Sequence, residues 1–535
     1  MVAQSKGFVA IRHPFRKQLA KLYSCLTVLV MPNQMSDPDN MPCLIGTGRR
    51  TWHPSGEPAP EPLEMWELVA STAAADAGID RDVMSAVDDL NLVHCQSWAY
   101  DDPAGHLAGR LGLSGARQQE SILAGTSPQR LIDGAAERML RGETKVALVV
   151  GGEAFATLRT HKRDGRTPPW SYPHPAPPSF PVDLDEWYLP TEIAHGVLPA
   201  WLTFALLEQA RWAGRGALPE DSARLGTVMS RLNDVAAANP DAWFPEALSI
   251  DEITRPTPGN RMIATPYTKR MTAFMDVDMA AANLLVTRGT ADAWGVPDER
   301  RVYLRGWGFA RDAVHLGARS DLTSSPGMRV ATGEALRMAG MTVDEVSAFD
   351  LYSCFGSAVQ FAQDALGLSV DDPRPMSLTG GLPYHGGPSS NYMGHSISHM
   401  ADHLRADPAR VGMVTGVGMH MTKHVAAVWS ATPGPLDPPE HEQGEQRWGG
   451  DSESTDIVVV DRAEGSAVIL AATVAHGTHG SPSHAVAICE LADGTRCYAR
   501  SDRADMVSAI EDGSAWVDAK VSIRRGTDDT NDFVF

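Results

Sequence analysis

At 535 residues the chain is too long for a single hydrophobic core and predicts two or three packed units. Hydrophobic residues make up 43% and charged residues 21%, the proportions of an ordinary folded protein rather than a disordered one. A formal net charge of -20 argues against a nucleic-acid partner, because phosphates must be neutralised by Lys and Arg, though a local basic patch could still hold an anion.

The six cysteines (Cys25, Cys43, Cys95, Cys354, Cys489 and Cys497) are scattered, with no CxxC pair and no zinc-finger spacing. A reducing, cytoplasmic setting is expected, and no metal centre. Residues 1–40 carry a basic stretch and a short apolar run, Leu22 to Met31, too short to cross a bilayer. They are read as a disordered extension or as sequence upstream of a start at Met31, Met35 or Met41. No later segment reaches ~20 uninterrupted apolar residues, so no membrane span is expected.

From Met41 the text becomes regular. PCLIGTG reads as a buried strand, PLEMWELVASTAAADAG as a helix opened by Pro62 and stopped at Gly78, and LNLVHCQS as a second strand. QQESILAG, TSPQRLIDGAAERMLRG and KVALVVGGEAF continue as strand, helix and strand, which predicts a mostly parallel sheet covered by helices. The proline-rich TPPWSYPHPAPPSFP opens an insertion over 155–265, with helices near 199–213 and 221–238. Alternation resumes with RRVYLRGWGFA, a helix over 328–339, VSAFDLYSCFGSAVQFAQDALGL, the stretch ending HMADHLR, and RVGMVTGVGM. A turn with Pro128, a helix ending LRG and the strand VALVVGGEA are echoed by a turn with Pro388, a helix ending HLR and VGMVTGVGM. Two copies of one unit imply a duplicated fold. The expected boundaries are 41–295 for the first half, 296–432 for the second, 433–455 for a Pro- and Gly-rich linker, and 456–535 for a small all-β, OB-like domain of alternating strands.

The duplicated halves, the insertion, and the strings GGLPYHGGPSSNY and DLYSCF resemble the thiolase superfamily, among sterol-carrier-type relatives labelled acetyl-CoA acetyltransferase. The resemblance covers roughly residues 41–430 and implies an α/β fold with a duplicated thiolase-like αβαβα core. It also implies an acyl-CoA or other thioester as partner, no cofactor beyond coenzyme A as part of the substrate, and a homodimer. Working thiolases use a nucleophilic Cys at a helix N-terminus, a GHP His, a second Cys, and an Asn or His from a strand-end motif. Matched position by position, these fall here on Gly125, Gly387, Thr415 and Tyr352. The departure at all four positions implies either a different acyl transfer or a thioester-binding scaffold without turnover.

The polar residues left nearby are the site candidates. Gly125 has no side chain, and Ser127 is better suited to cap the helix, with Pro128 as its first residue, than to act as a nucleophile. Cys354, at a strand end where a helix begins, occupies an environment that lowers a thiol pKa, with Tyr352 and Ser353 as possible donors to a thioester carbonyl. Gly387 and His385 lie in the turn before the next helix. Asn391, His395, His399 and His403 recur every four residues on one face of that helix; Asn391 and His395 are expected nearest the substrate, and the histidines are expected to meet a partner such as Asp402. Lys423 and His424 in GMHMTKH, whose TKH the similar proteins also carry, complete the set as candidate pocket or base residues, alongside His420. Catalysis, where present, is assigned to Cys354, His385, His395 and His424; substrate binding to Gly125, Ser127, Tyr352, Ser353, Gly387, Asn391 and Lys423.

Overall fold

The computed structural model describes residues 37–177, 184–216, 218–437, 457–512, 516, 518–526 and 529–535. The expected N-terminal extension and most of the linker lie outside them. Sixteen strands are described: β1 (Pro42–Thr51), β2 (Asp89–Leu92), β3 (Arg117–Glu120), β4 (Val146–Ala154), β5 (Met262–Ala264), β6 (Tyr267–Thr268), β7 (Asp278–Thr287) and β8 (Val302–Arg311) come first. They are followed by β9 (Ala348–Asp350), β10 (Val411–Gly418), β11 (Lys423–Ser430), β12 (Gly465–His476), β13 (Pro482–Leu491), β14 (Arg496–Ser501), β15 (Lys520–Arg525) and β16 (Asn531–Val534). The helices that matter below are α1 (Pro62–Asp76), α2 (Ser127–Leu140), α3 (Ala200–Arg215), α4 (Leu218–Ala238), α5 (Pro326–Ala339), α6 (Gly356–Leu366), α7 (Tyr392–Ala406) and α8 (Ala504–Glu511).

Nine strands form one sheet in the order β3-β2-β4-β7-β1-β8-β11-β10-β9. Read outward from the β1/β8 pair, the two sides repeat: β1 matches β8, β7 matches β11, β4 matches β10, and β2 matches β9. The duplication inferred from the sequence is therefore visible as topology. The expected mostly parallel sheet is corrected to a mixed one. β3, β2 and β4 run parallel, as do β10 and β9, but every pairing from β4 across to β10 is antiparallel. The cause is that β7 and β11 each return directly beside the strand before them. In the second half a tight turn, 419–422, makes this return; in the first half the whole stretch 155–277 does so.

Local sequence explains how closely the layers approach. Gly46 and Gly48 on β1 lie against the α1 carbonyls of Ala73 and Val69, and Gly306 and Gly308 on β8 lie against the α5 carbonyls of Ala335 and Ala331. A Cβ at any of the four would overlap those carbonyls, so both halves need a G-x-G strand at this contact. Helices α2 and α7 contribute Ile132, Ala135, Ile397 and Met400 to the main core, which in the second half covers both faces of the sheet, while Trp66 and Val69 of α1 fill a second core over the first half.

The C-terminal strands close into a ring, β12-β13-β14-β16-β15 and back to β12, with β14 and β16 parallel. Ile469, Cys489, Cys497, Trp516 and Phe533 fill it. Such a ring is compatible with an OB-like domain. It also carries α8, which the all-strand reading of this region did not anticipate. The ring is not isolated from the rest: β12 pairs with β5 at Ala475 and Ala264, and residues 37–535 form one compact unit. Buried polar bonds add to that junction. The backbone N–H of Asn531 donates to His195 Nε2 (2.8 Å), and the Tyr498 hydroxyl donates to Glu192 (2.6 Å).

Candidate functional site

Three segments from the two halves meet at the N-terminus of α2. Gly125 lies in the loop just before that helix, Tyr352 follows β9, and Val417 is near the end of β10. A Cβ built on Gly125 would overlap the Tyr352 hydroxyl and the Val417 carbonyl and lie 2.6 Å from Tyr352 Cζ. Gly125 and Tyr352 thus meet despite their separation in sequence, as expected. The space that a side chain at 125 would enter is filled by the phenol. Thr415 holds this phenol from behind, since its Oγ1 accepts the Tyr352 backbone N–H at 2.9 Å. Burial raises the Tyr352 hydroxyl well above the ordinary tyrosine range, so it is a neutral donor.

The loop from 377 to 391 is organised by one carboxylate that the sequence reading passed over. Asp350, fully buried at the end of β9, accepts from the Ser377 and Ser396 hydroxyls (3.0 and 2.6 Å), the Leu378 and Thr379 backbone N–H groups (2.7 and 3.0 Å), and Thr379 Oγ1 (3.1 Å). Tyr392 joins through Thr379, its hydroxyl also reaching Asp350, and stands edge-on to Tyr352, with ring centroids 5.5 Å apart. Ser353 Oγ accepts the Leu382 N–H (3.3 Å), and Gly387 donates its N–H to the Phe274 carbonyl (2.8 Å). Asn391 is committed to the other half: its side-chain amide donates to the Gly151 carbonyl on β4 (2.6 Å).

The histidines form a buried group beneath this loop. His385 and His395 are fully buried, with ring centroids 5.3 Å apart, and His399 stands 5.6 Å from His385. Burial holds His385 down to about 3 and His395 and His399 well below the ordinary imidazole range, so all three are neutral near pH 7. Asn239 binds the Thr379 carbonyl through its amide N–H (2.8 Å) and presents the same nitrogen to His385 Nδ1 at 3.5 Å, which places the His385 proton on Nε2. Among the described residues, His385 Nε2 and both His395 nitrogens have no hydrogen-bond partner. The expected partner, Asp402, is instead paired with Arg49 (2.8 Å), and the carboxylate near His399 is Asp241, at 3.6 Å. Among the described residues no group of three or more His, Cys, Asp or Glu is placed to hold a metal.

The other candidates need correction or relocation. Cys354 is half-buried, its carbonyl accepts the Ala273 N–H (2.9 Å), and desolvation pushes its thiol up rather than down. The α6 N-terminus does not rescue it, because burial outweighs the few N–H contacts there. Ser127 is the first residue of α2, not its N-cap; Thr126 takes that position without a side-chain cap bond, and Ser127 Oγ donates to the Ile122 carbonyl (2.7 Å). His424 sits in a buried pair, with Nε2 at 2.9 Å from Asp312 and 3.3 Å from Ser325 Oγ and Nδ1 without a hydrogen-bond partner among the described residues, while Lys423 Nζ lies 5.0 Å from the Trp187 ring centroid. His420, from the same string, is held between Tyr188 and Thr203.

A cavity of about 280 Å³ opens beside the loop, lined by Phe244, Leu248, Phe274, Pro383 and Tyr384 with Lys269, Arg270, Thr272 and Glu246. Its walls are tied to the site residues: Phe244 donates its N–H to the Tyr384 carbonyl, Trp243 to the His385 carbonyl, and Phe274 to the Leu382 carbonyl (3.0, 2.9 and 3.3 Å). The sequence held no periodic signal for it, because its lining comes from four separate short segments of the chain, at 244–248, 259, 269–274 and 383–384.

No family model and no curated protein matches this sequence. Solved structures do. A monomeric SCP2-thiolase-like protein type 1 from Mycobacterium smegmatis superposes with a TM-score of 0.78 at 28% identity, covering 94% of this chain and 100% of that one. That share is too large to leave out the C-terminal strands. The Ltp2-ChsH2(DUF35) aldolase gives 0.57 at 16% identity over 73% of this chain and 98% of that one. Human mitochondrial 3-ketoacyl-CoA thiolase in complex with CoA gives 0.51 at 14% identity over 74% and 99%. The last two likenesses speak to the fold alone.

Proposed function

Because the chain belongs to the thiolase superfamily, we propose that it binds an acyl-CoA thioester without passing through the acyl-cysteine of ordinary thiolases. The observation that carries this reading is the Gly125–Tyr352 contact: the position that the resemblance gives to the nucleophile has no side chain, and Tyr352 occupies the room one would need. Covalent catalysis needs a nucleophile that is ionised or has a base beside it. Cys354 is raised away from thiolate, and the hydrogen bonds of His424 run to Asp312 and Ser325, not to Cys354. The cavity beside the loop supports a binding role, since Phe244, Phe274 and Tyr384 suit an apolar arm while Lys269 and Arg270 suit phosphates.

Calorimetric titration with acetyl-CoA and longer acyl-CoAs, run beside an acetoacetyl-CoA thiolysis assay, tests the proposal. Binding without turnover is expected. Robust thiolysis that disappears in Cys354→Ser would overturn it in favour of an acyltransferase in which Cys354 attacks and His385 or His395 assists. That second reading is favoured by the neutral imidazoles gathered beneath the loop.

A cytoplasmic setting belongs to the same proposal, supported by five described cysteines that are all free. No described helix is long and apolar enough to cross a membrane. The homodimer implied by the resemblance is part of it as well; a monomeric mass by light scattering would remove that part and would agree with the state named for the Mycobacterium smegmatis neighbour.

A further inference from the structure

The turn joining β10 to β11, Met419 to Thr422, occupies the place that the 155–277 insertion takes in the first half. It is strained. Met419 and Met421 have φ of 55° and 56°, a region that bulky side chains rarely adopt and keep only where their surroundings impose it. The imposing contacts centre on His420. Its ring is buried, with Nε2 at 2.6 Å from the Tyr188 hydroxyl and Nδ1 at 2.8 Å from Thr203 Oγ1, both residues of the insertion. Thr203 donates its own proton to the Ala200 carbonyl (2.9 Å), so it accepts from His420 Nδ1–H; that leaves Nε2 an acceptor, to which Tyr188 donates at 2.6 Å in preference to the Leu198 carbonyl at 3.3 Å. From the opposite side Arg319 donates to the His420 carbonyl (2.7 Å), and the Arg319 carbonyl in turn accepts from Arg496 of the C-terminal ring (2.5 Å). The turn's own end lies at the site: the Val417 carbonyl faces Gly125, and Gly418 lies against Ala124 and Thr126.

We propose that His420 is a positioning residue, pinning the strained turn to the insertion so that Val417 and Gly418 hold their places as the wall of the thioester site at Gly125. The inference rests on the thioester-binding reading for its ligand but not for its geometry. In His420→Phe the ring stays and both hydrogen bonds go; Tyr188→Phe removes one of them together with the Tyr188 contact to the Leu198 carbonyl (3.3 Å), and Thr203→Val removes the other together with the bond to the Ala200 carbonyl. Two measurements are made on the full chain: amide hydrogen exchange over 416–424, and acetyl-CoA affinity by calorimetry. Exchange in that segment should accelerate at least about tenfold in His420→Phe while α2 is unchanged, and affinity should fall about tenfold. Tyr188→Phe and Thr203→Val should each show smaller losses of the same kind, and His420→Gln, which can still donate and accept, should recover part of both. Unchanged exchange over 416–424 in His420→Phe would overturn the pin. Accelerated exchange with unchanged affinity would overturn the positioning role. If the wild-type protein binds no acyl-CoA, the thioester reading fails, and the exchange experiment still decides whether His420 holds the turn.

Discussion

At the position of Gly125 one missing Cβ and one phenol define what this site can be. Gly125→Ala should destabilise the fold by about 1–3 kcal/mol, because the methyl must displace Tyr352 or the Val417 carbonyl. The same substitution in a Tyr352→Ala background should be markedly milder, and urea denaturation of the four proteins measures that coupling. Additive losses would mean the two residues do not compete for one space. Cys354 offers a second check. Its raised thiol should alkylate with iodoacetamide at pH 7 far more slowly than a free thiol, as followed by peptide mass spectrometry. Part of this was legible in the sequence, since the meeting of Gly125 and Tyr352 was expected from matching the two halves to the thiolase pattern. The thiol was not, because a helix N-terminus can be read from spacing whereas burial, which wins here, depends on Ala273 and other residues distant in the chain.

His385 carries a prediction about pH. Its folded value, near 3, lies below the unfolded value near 6.5, so the unfolded state binds the proton first as pH falls. The stability it contributes is complete above pH 6.5 and is lost progressively toward pH 3. The wild-type protein should therefore lose stability relative to His385→Gln between pH 6.5 and 4, measured as the difference in urea midpoints at each pH; a constant difference would show that His385 is not buried in its neutral form.

Among the elements, the two halves share strands and helices but differ in how they turn back. A G-x-G strand against a helix recurs as GTG and GWG, and that echo could have been found by eye. What pattern could not supply is the joining of the loop from 377 to 391 with α7, where Asp350 gathers six donors from residues that lie 27 to 46 positions away. Alanine at 350 would leave those donors unpaired in a dry interior, each unpaired group costing about 1–3 kcal/mol. Asp350→Ala is expected to lower stability by about 3 kcal/mol or more, while the conservative Asp350→Asn retains part of it; equal midpoints for wild type and Asp350→Ala would show that the loop is organised otherwise. The helix α7 was legible as a helix with four polar residues on one face. Its histidines were expected to meet a carbonyl or a carboxylate such as Asp402, but Arg49 takes Asp402, the carboxylate near His399 is Asp241, and burial leaves the imidazoles neutral.

For the whole molecule, the C-terminal ring and the insertion are built into one another. Val474 accepts the Thr265 N–H (3.0 Å), Thr473 Oγ1 donates to the Thr265 carbonyl (2.6 Å), and β12 and α3 bury residues in the same core as the sheet. Thr265 and Thr473 are separated by 208 positions. On a ribosome adding about 5–20 residues per second, the second arrives roughly 10–40 s after the first. Throughout that interval the growing chain holds β5, β6 and the apolar side of α3 with no strand to cover them. The insertion therefore cannot complete its packing until β12 has been made, and until then the nascent chain carries an open strand edge and uncovered apolar surface, the features that make an incomplete chain prone to aggregate.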